Sequence, residues 1–100
     1  MALNPDELHV KHNDDAQQFE TTVDGYTALL AYHRAPGLIS LDHTEVPPPI
    51  EAQGVAAKLT ETALEYARAQ QLRVVPACSY VAAYIRKRPE YQDLVAQVQR

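Results

Sequence analysis

Two stretches of this chain hold the side chains that could do chemistry, one from Leu41 to Ala56 and the other from Val75 to Val81. In the first, His43 and Glu45 stand two residues apart near the end of a β-prone run. That spacing puts an imidazole and a carboxylate on one face of a strand. Such a pair can accept a proton or orient a nucleophile, or it can simply be a solvated strand face. Gln53-Gly54-Val55-Ala56 then opens the longest helical pattern. Glycine at a helix start lets the backbone approach a phosphate-bearing ligand, because the first N–H groups are unpaired and the dipole is positive there. The plainer alternative is that Gly54 only packs closely against a sheet. In the second stretch Cys78 is a thiol that, at a pKa of about 8.5, is only a few per cent thiolate at neutral pH. Reactivity would need an activating neighbour; otherwise Cys78 is a small buried hydrophobe. Tyr80 and Tyr84 flank it as core aromatics or hydroxyl donors. His9, His12 and His33 lack metal-like spacing with any cysteine or carboxylate, so no metal site is expected.

These residues must be positioned by the elements around them. Residues 1–7 read as a short, poorly ordered lead. Alternation predicts strands over residues 8–12, 18–23, 26–33 and 38–46. Turn signals separate them at Asn13-Asp14-Asp15, Asp24-Gly25 and Ala35-Pro36-Gly37. Pro47-Pro48-Pro49 cannot continue a central strand. From residue 51 to 70 the period turns helical, with Val55, Leu59, Ala63 and Tyr66 on one face and Lys58, Glu61, Glu65 and Arg68 largely on the other. A short β-branched run follows at 72–75. A helix is then expected over 79–88 and another over 89–98, with Pro89 in its first turn and Leu94, Val95 and Val98 facing inward. A β-β-β-β-α-β-α-α order gives an α+β fold in one domain spanning 1–100. Its sheet is a mixed, mostly antiparallel one of about five strands, with a right-handed β-α-β crossover that makes the last strand parallel to the fourth.

The composition narrows the function. One hundred residues make one core, and a formal charge of −4 argues against a nucleic-acid partner. Arg86-Lys87-Arg88 is the basic cluster, able to hold a phosphate or to be a solvated face. No apolar run reaches the roughly 20 residues a membrane span needs. Asp6, Glu7, Asp14 and Asp15 interrupt the first 20 residues, which do not read as a signal peptide. A single cysteine is consistent with a reducing, cytoplasmic setting.

Taken together and in order, His43-Thr44-Glu45-Val46-Pro47, Gln53-Gly54-Val55-Ala56, Val75-Pro76-Ala77-Cys78-Ser79-Tyr80-Val81, Tyr84-Ile85 and Arg88-Pro89-Glu90-Tyr91 resemble the GNAT superfamily of N-acetyltransferases, in its short single-domain Yjdj-type branch. The resemblance covers residues 38–95 and implies acetyl-coenzyme A as cofactor. It implies that the helix start binds the pyrophosphate through Gln53, Gly54, Val55, Ala56, Ala57 and Lys58. Fourth-strand backbone around Leu41 and Thr44 would hold the pantetheine arm, with Tyr80 and Tyr84 beside it. Gly54 and Ala56 match the end of the family's Arg/Gln-x-x-Gly-x-Gly/Ala loop, whereas Glu51 stands where arginine or glutamine is usual. A carboxylate cannot donate to phosphate, so Glu51 is expected to face outward. Only the turn at 13–16 joins the first two strands where larger members carry helices. The acceptor pocket is therefore expected to be open, shallow or completed by a partner.

The implied reaction is direct acetyl transfer to an amine, either of a small molecule or of a protein. An amine of pKa about 10.4 is neutral in roughly one molecule per two thousand at pH 7, a deficit of about 4.6 kcal/mol that a general base must supply. His43 is the first choice of base and Glu45 the second, directly or through water. Cys78 is the expected acid for the departing thiolate, with a covalent acetyl-Cys78 route as the alternative. A competing reading keeps the fold without catalysis, as a coenzyme A or acyl-CoA binder or a partner-docking module.

Overall fold

A computed structural model describes residues 8–96. The lead expected over residues 1–7, and Val98, lie outside the described residues. Five strands form one sheet in the order β1-β2-β3-β4-β5: β1 (Lys11–Asn13), β2 (Gln18–Val23), β3 (Tyr26–Ala35), β4 (Leu38–Glu45) and β5 (Arg73–Val75). The first four pair antiparallel and β5 pairs parallel to β4, as the alternation and the crossover rule anticipate. Asp24 and Gly25 both take positive φ, 51° and 82°, and so close the β2–β3 hairpin with the twist such a tight turn needs. The crossover between β4 and β5 holds a 3-10 segment, Pro48–Gln53, and helix α1 (Val55–Ala69). Helix α2 (Ser79–Arg86) and a second 3-10 segment, Pro89–Leu94, follow β5.

The core lies between the sheet and the helices. Phe19, Leu30, Ile39, Leu41 and Val74 from the strands meet Val55, Leu59, Ala63, Leu64, Val81 and Ile85, all buried. Each fully buried Leu, Ile, Val or Phe contributes about 1.5–3 kcal/mol. Alternate strand residues point the other way, and Glu20, Leu29, His43 and Glu45 stand on that opposite face, half-buried or exposed. Among the described residues no helix is long and apolar enough to cross a membrane.

Four elements depart from expectation. The first strand begins at Lys11, not residue 8, because the Thr21 hydroxyl donates to the His9 carbonyl (2.8 Å) in place of a ladder bond. The crossover helix does not start near residue 51: the prolines set a 3-10 segment, and Gly54 at φ 74° separates it from α1. Helix α2 stops at Arg86, because Arg88 precedes Pro89 and is forced out of helical geometry. The expected helix over 89–98 is a 3-10 turn ending at Leu94. Arg68 donates to the Glu90 carbonyl (2.5 Å) and Arg73 to the Asp93 carbonyl (2.9 Å), taking acceptors a longer helix would use. Val95 then bridges to Val74 in parallel, and the Ala96 amide reaches the Val74 carbonyl (2.8 Å). Leu94 is buried and Val95 packs on the core, as anticipated.

Away from the crossover, Tyr32 is buried among His12, Phe19 and Tyr66. Its hydroxyl donates to Asp14 Oδ1 (3.3 Å) and lies 2.5 Å from His12 Nε2. Burial, and then the Asp14 carboxylate, push the phenol up to about 12 from 10.0. An unfolded tyrosine ionises first, so the stabilisation is complete below pH 10 and is lost as pH rises to about 12. The loss is about 2–3 kcal/mol. Urea unfolding across that window should show Tyr32→Phe losing less stability than wild type; equal alkaline slopes would exclude Tyr32 as a source.

Candidate active site

The β3–β4 ladder carries a bulge. Ala31 pairs with His43 and Tyr32 with Leu41, so Asp42 has no partner across the ladder. The extra residue changes which side chains share a face. Leu41 is buried under the helices, and Thr44, opposite the buried Leu30, turns to the same side. His43 and Glu45 emerge on the open face, 61% and 62% exposed, with Nε2 and Oε2 3.5 Å apart. The Asp42 carboxylate accepts from the Ser40 hydroxyl and meets His33 Nδ1, which ties down the bulge.

Strands β4 and β5 run together only briefly. Leu38, Ile39 and Ser40 pair with Arg73, Val74 and Val75, and Pro76 then ends β5. The last link is the Cys78 amide donating to the Leu41 carbonyl (2.9 Å). Beyond it the strands separate, and the β5 side of residues 42–45 has no strand partner among the described residues. Cys78 stands in this opening as the N-cap residue of α2. Its half-buried thiol lies 3.5 Å from Thr44 Oγ1. Burial raises the pKa of this thiol, yet the Thr44 hydroxyl with the amides of Val81 and Tyr80 brings it net below 9.0. A thiol at a helix start surrounded by donors is poised to exchange a proton.

The start of α1 is uncapped by side chains. The Lys58 amide closes the first turn on the Gly54 carbonyl (3.1 Å), leaving those of Val55, Ala56 and Ala57 ahead of the first helical bond. Of the expected donors, Lys58 therefore spends its N–H internally, and its ammonium pairs with Glu61 (3.2 Å). Val55 is buried and can offer only backbone. Glu51 is exposed in the preceding 3-10 segment.

Two cavities border this region. One, of about 220 Å³, lies between the helices and brings Ala57 together with Tyr80, Ala83, Tyr84, Lys87 and Arg88. The Arg88 guanidinium sits 4.8 Å from the centre of the Tyr84 ring. The other, of about 460 Å³, runs between Thr27 and Leu29 of β3 and the chain from Thr44 to Pro48.

The structure thus unites Thr44 with Cys78, His43 with Glu45, and Ala57 with Tyr80 and Tyr84. It does not unite His43 with Cys78. Neighbouring residues of a strand point to opposite faces, and Cys78 contacts Thr44, so the imidazole and thiol flank β4 from opposite sides. Lys87 and Arg88, of the basic cluster that the sequence left open between a phosphate site and a solvated face, line this cavity, and Ala83 is a lining residue not assigned from sequence.

Residues 18–94 match the family model described as GCN5-related N-acetyl-transferase. Protein NATD1 of mouse is 28% identical over 90 residues, covering 87% of this chain and 82% of that protein. Human NATD1 is likewise 28% identical, covering 87% and 80%. A solved GCN5-like candidate N-acetyltransferase from Staphylococcus aureus superposes with a TM-score of 0.71 at 27% identity, covering 92% of this chain and 91% of that one.

Proposed function

This chain belongs to the GCN5-related N-acetyltransferase family, and from that premise we propose that it moves an acetyl group from acetyl-coenzyme A to an amine by direct attack in a ternary complex. The observation that carries the proposal is the opening of β4 away from β5. Its unpaired backbone edge and the Thr44–Cys78 pair stand at this opening, and the first turn of α1 meets the start of α2 where Ala57 and Tyr80 line the smaller cavity. Bound acetyl-coenzyme A would supply the activated acetyl thioester. The amides of Val55, Ala56 and Ala57 suit its pyrophosphate, with the Gly54 backbone free to approach closely. The β4 edge around Leu41 and Thr44 suits an amide-bearing pantetheine arm. Lys87 and Arg88 beside Tyr80 and Tyr84 suit a phosphorylated nucleoside.

Each side chain then has one task. His43, oriented by Glu45, takes the proton from the amine on the open face. With acetyl-coenzyme A bound, the nitrogen would bond to the acetyl carbon as the carbon–sulfur bond breaks, Cys78, on the other side of β4, would give its proton to the departing thiolate, and the second proton shed by the nitrogen would restore Cys78. A free thiol in this role fits a reducing compartment, and we place the activity in the cytoplasm. An acceptor borne by a protein, or a partner covering the open face, is compatible with the same site.

Thiol release from acetyl-coenzyme A over a panel of amines tests this reading, alongside calorimetry with the cofactor. Cys78→Ala should lower kcat only about tenfold, because a thiolate of pKa about 8.5 already leaves fairly well. A general acid must be protonated, so wild-type kcat should fall as pH rises through the lowered Cys78 pKa, and the variant should lack that limb. Tight cofactor binding without thiol release from any amine would instead favour a coenzyme A-binding module. No binding at millimolar cofactor would remove both readings.

A further inference from the structure

The sheet face that no helix covers among the described residues points to a class of acceptor. Glu20 pairs with Leu29, and Leu29 pairs with Glu45, so the three form one row across β2, β3 and β4. All three point away from the core. With strands about 4.8 Å apart, the two acidic backbone positions are about 10 Å apart, with an apolar side chain midway. The Glu45 end of the row opens into the 460 Å³ cavity, whose walls include Thr27, Leu29, Val46 and Pro47 and which, among the described residues, no basic side chain lines. His43 is 3.5 Å from Glu45 at that same end. The other end is built differently. The Glu20 carboxylate accepts from Gln18 Nε2 (2.6 Å) and Asn13 Nδ2 (3.5 Å), and Lys11 stands opposite it on β1 without an ion pair between them.

We propose that the acceptor is a free linear polyamine, with one ammonium at Glu45 beside His43, its methylenes on Leu29 and a second ammonium at Glu20. The proposal rests on the acetyl-transfer reading and adds its substrate. Charge complementarity selects the occupant: two carboxylates on backbone positions about 10 Å apart match the two terminal ammonium groups of such a polyamine, whose methylenes cross Leu29 while its middle nitrogen stays in water over the open face. An amino acid would bring its own carboxylate against Glu45, where like charges repel. In the reaction the ammonium at Glu45 would give one proton to His43, its nitrogen would bond to the acetyl carbon as the carbon–sulfur bond breaks, and the second proton it sheds would replace the one that Cys78 gives to the departing thiolate. The distal ammonium is unchanged.

Three probes separate the possibilities: spermidine, n-butylamine and free glycine. Spermidine should be the best acceptor and glycine the worst. Glu20→Gln lies on the exposed side of β2 and should raise KM for spermidine about fivefold while leaving that for n-butylamine within about twofold. Added salt should shrink that difference. Titrating spermidine into isotope-labelled protein should move the amide signals of Glu20, Leu29 and Glu45. Thiol release without those shifts, or with Glu20→Gln affecting neither or both amines alike, overturns the polyamine site and leaves acetyl transfer standing. Those shifts without thiol release support the site and overturn the transfer reading. Absence of both overturns both.

Discussion

His43→Ala is expected to lower kcat/KM for an alkylamine about 10²- to 10³-fold at neutral pH, the contribution of a positioned general base. Acetyl-coenzyme A affinity should be unchanged, because His43 projects from the open face while the surfaces proposed for the cofactor are the β4 edge and the helix starts. The pH dependence carries the diagnosis. Without a base the reaction relies on amine already neutral in solution, which grows about tenfold per pH unit below a pKa of about 10.4. The deficit should therefore narrow steadily as pH rises above neutrality, and the assay can stop short of pH 10, where ionisation of Tyr32 begins to weaken the fold. A deficit constant with pH would mean that His43 acts otherwise than as a base. Glu45→Gln should cost only a few-fold if Glu45 orients the imidazole across 3.5 Å. A loss as large as that of His43→Ala would move the role of base to Glu45.

The second large effect is expected at Gly54, where Asp should weaken acetyl-coenzyme A binding about 30- to 100-fold, equivalent to about 2–3 kcal/mol. Gly54 sits at φ 74° immediately before the three open amides of α1. Asp and Asn are the side-chain-bearing residues that best tolerate that backbone, so both variants should fold with stability within about 1–2 kcal/mol of wild type. They differ in charge alone. Asp puts a carboxylate where the pyrophosphate should lie, whereas Asn adds a similar volume and should weaken binding only several-fold. Calorimetry at two salt concentrations separates the terms, since the Asp–Asn gap should shrink with ionic strength. Equal affinities for Asp, Asn and wild type would mean that no phosphate binds at this helix start.

Much of this architecture was legible in the chain. The turns at Asp24-Gly25 and Pro36-Gly37 fix the hairpins through local backbone chemistry, so β2 runs as expected and β3 and β4 nearly so. A 3.6-residue apolar period found α1, and the crossover rule made β5 parallel. The ends of elements were less legible, because side chains distant in sequence decide them. Thr21 shortens β1, and Arg68 and Arg73 convert the last helix to a 3-10 turn. No local pattern announces any of these three bonds.

The candidate site divides the same way. Residue types and spacing marked His43, Glu45, Gly54 and Cys78, because strand alternation and helix starts are local properties that depend on a few dihedral angles. Alternation would also have put Leu41 on the face of His43. The bulge at Asp42 reverses this, sending Leu41 and Thr44 to the helices and His43 to solvent. It is held by His33 from the neighbouring strand and by Ser40, and no glycine marks it. Likewise the row of Glu20, Leu29 and Glu45 exists only once three strands are in register. Which residues bear chemistry is a matter of covalent order and short-range periodicity. Which side of β4 each one faces, and what stands beside it, depends on ladder register, and register is set by contacts between strands far apart in the chain.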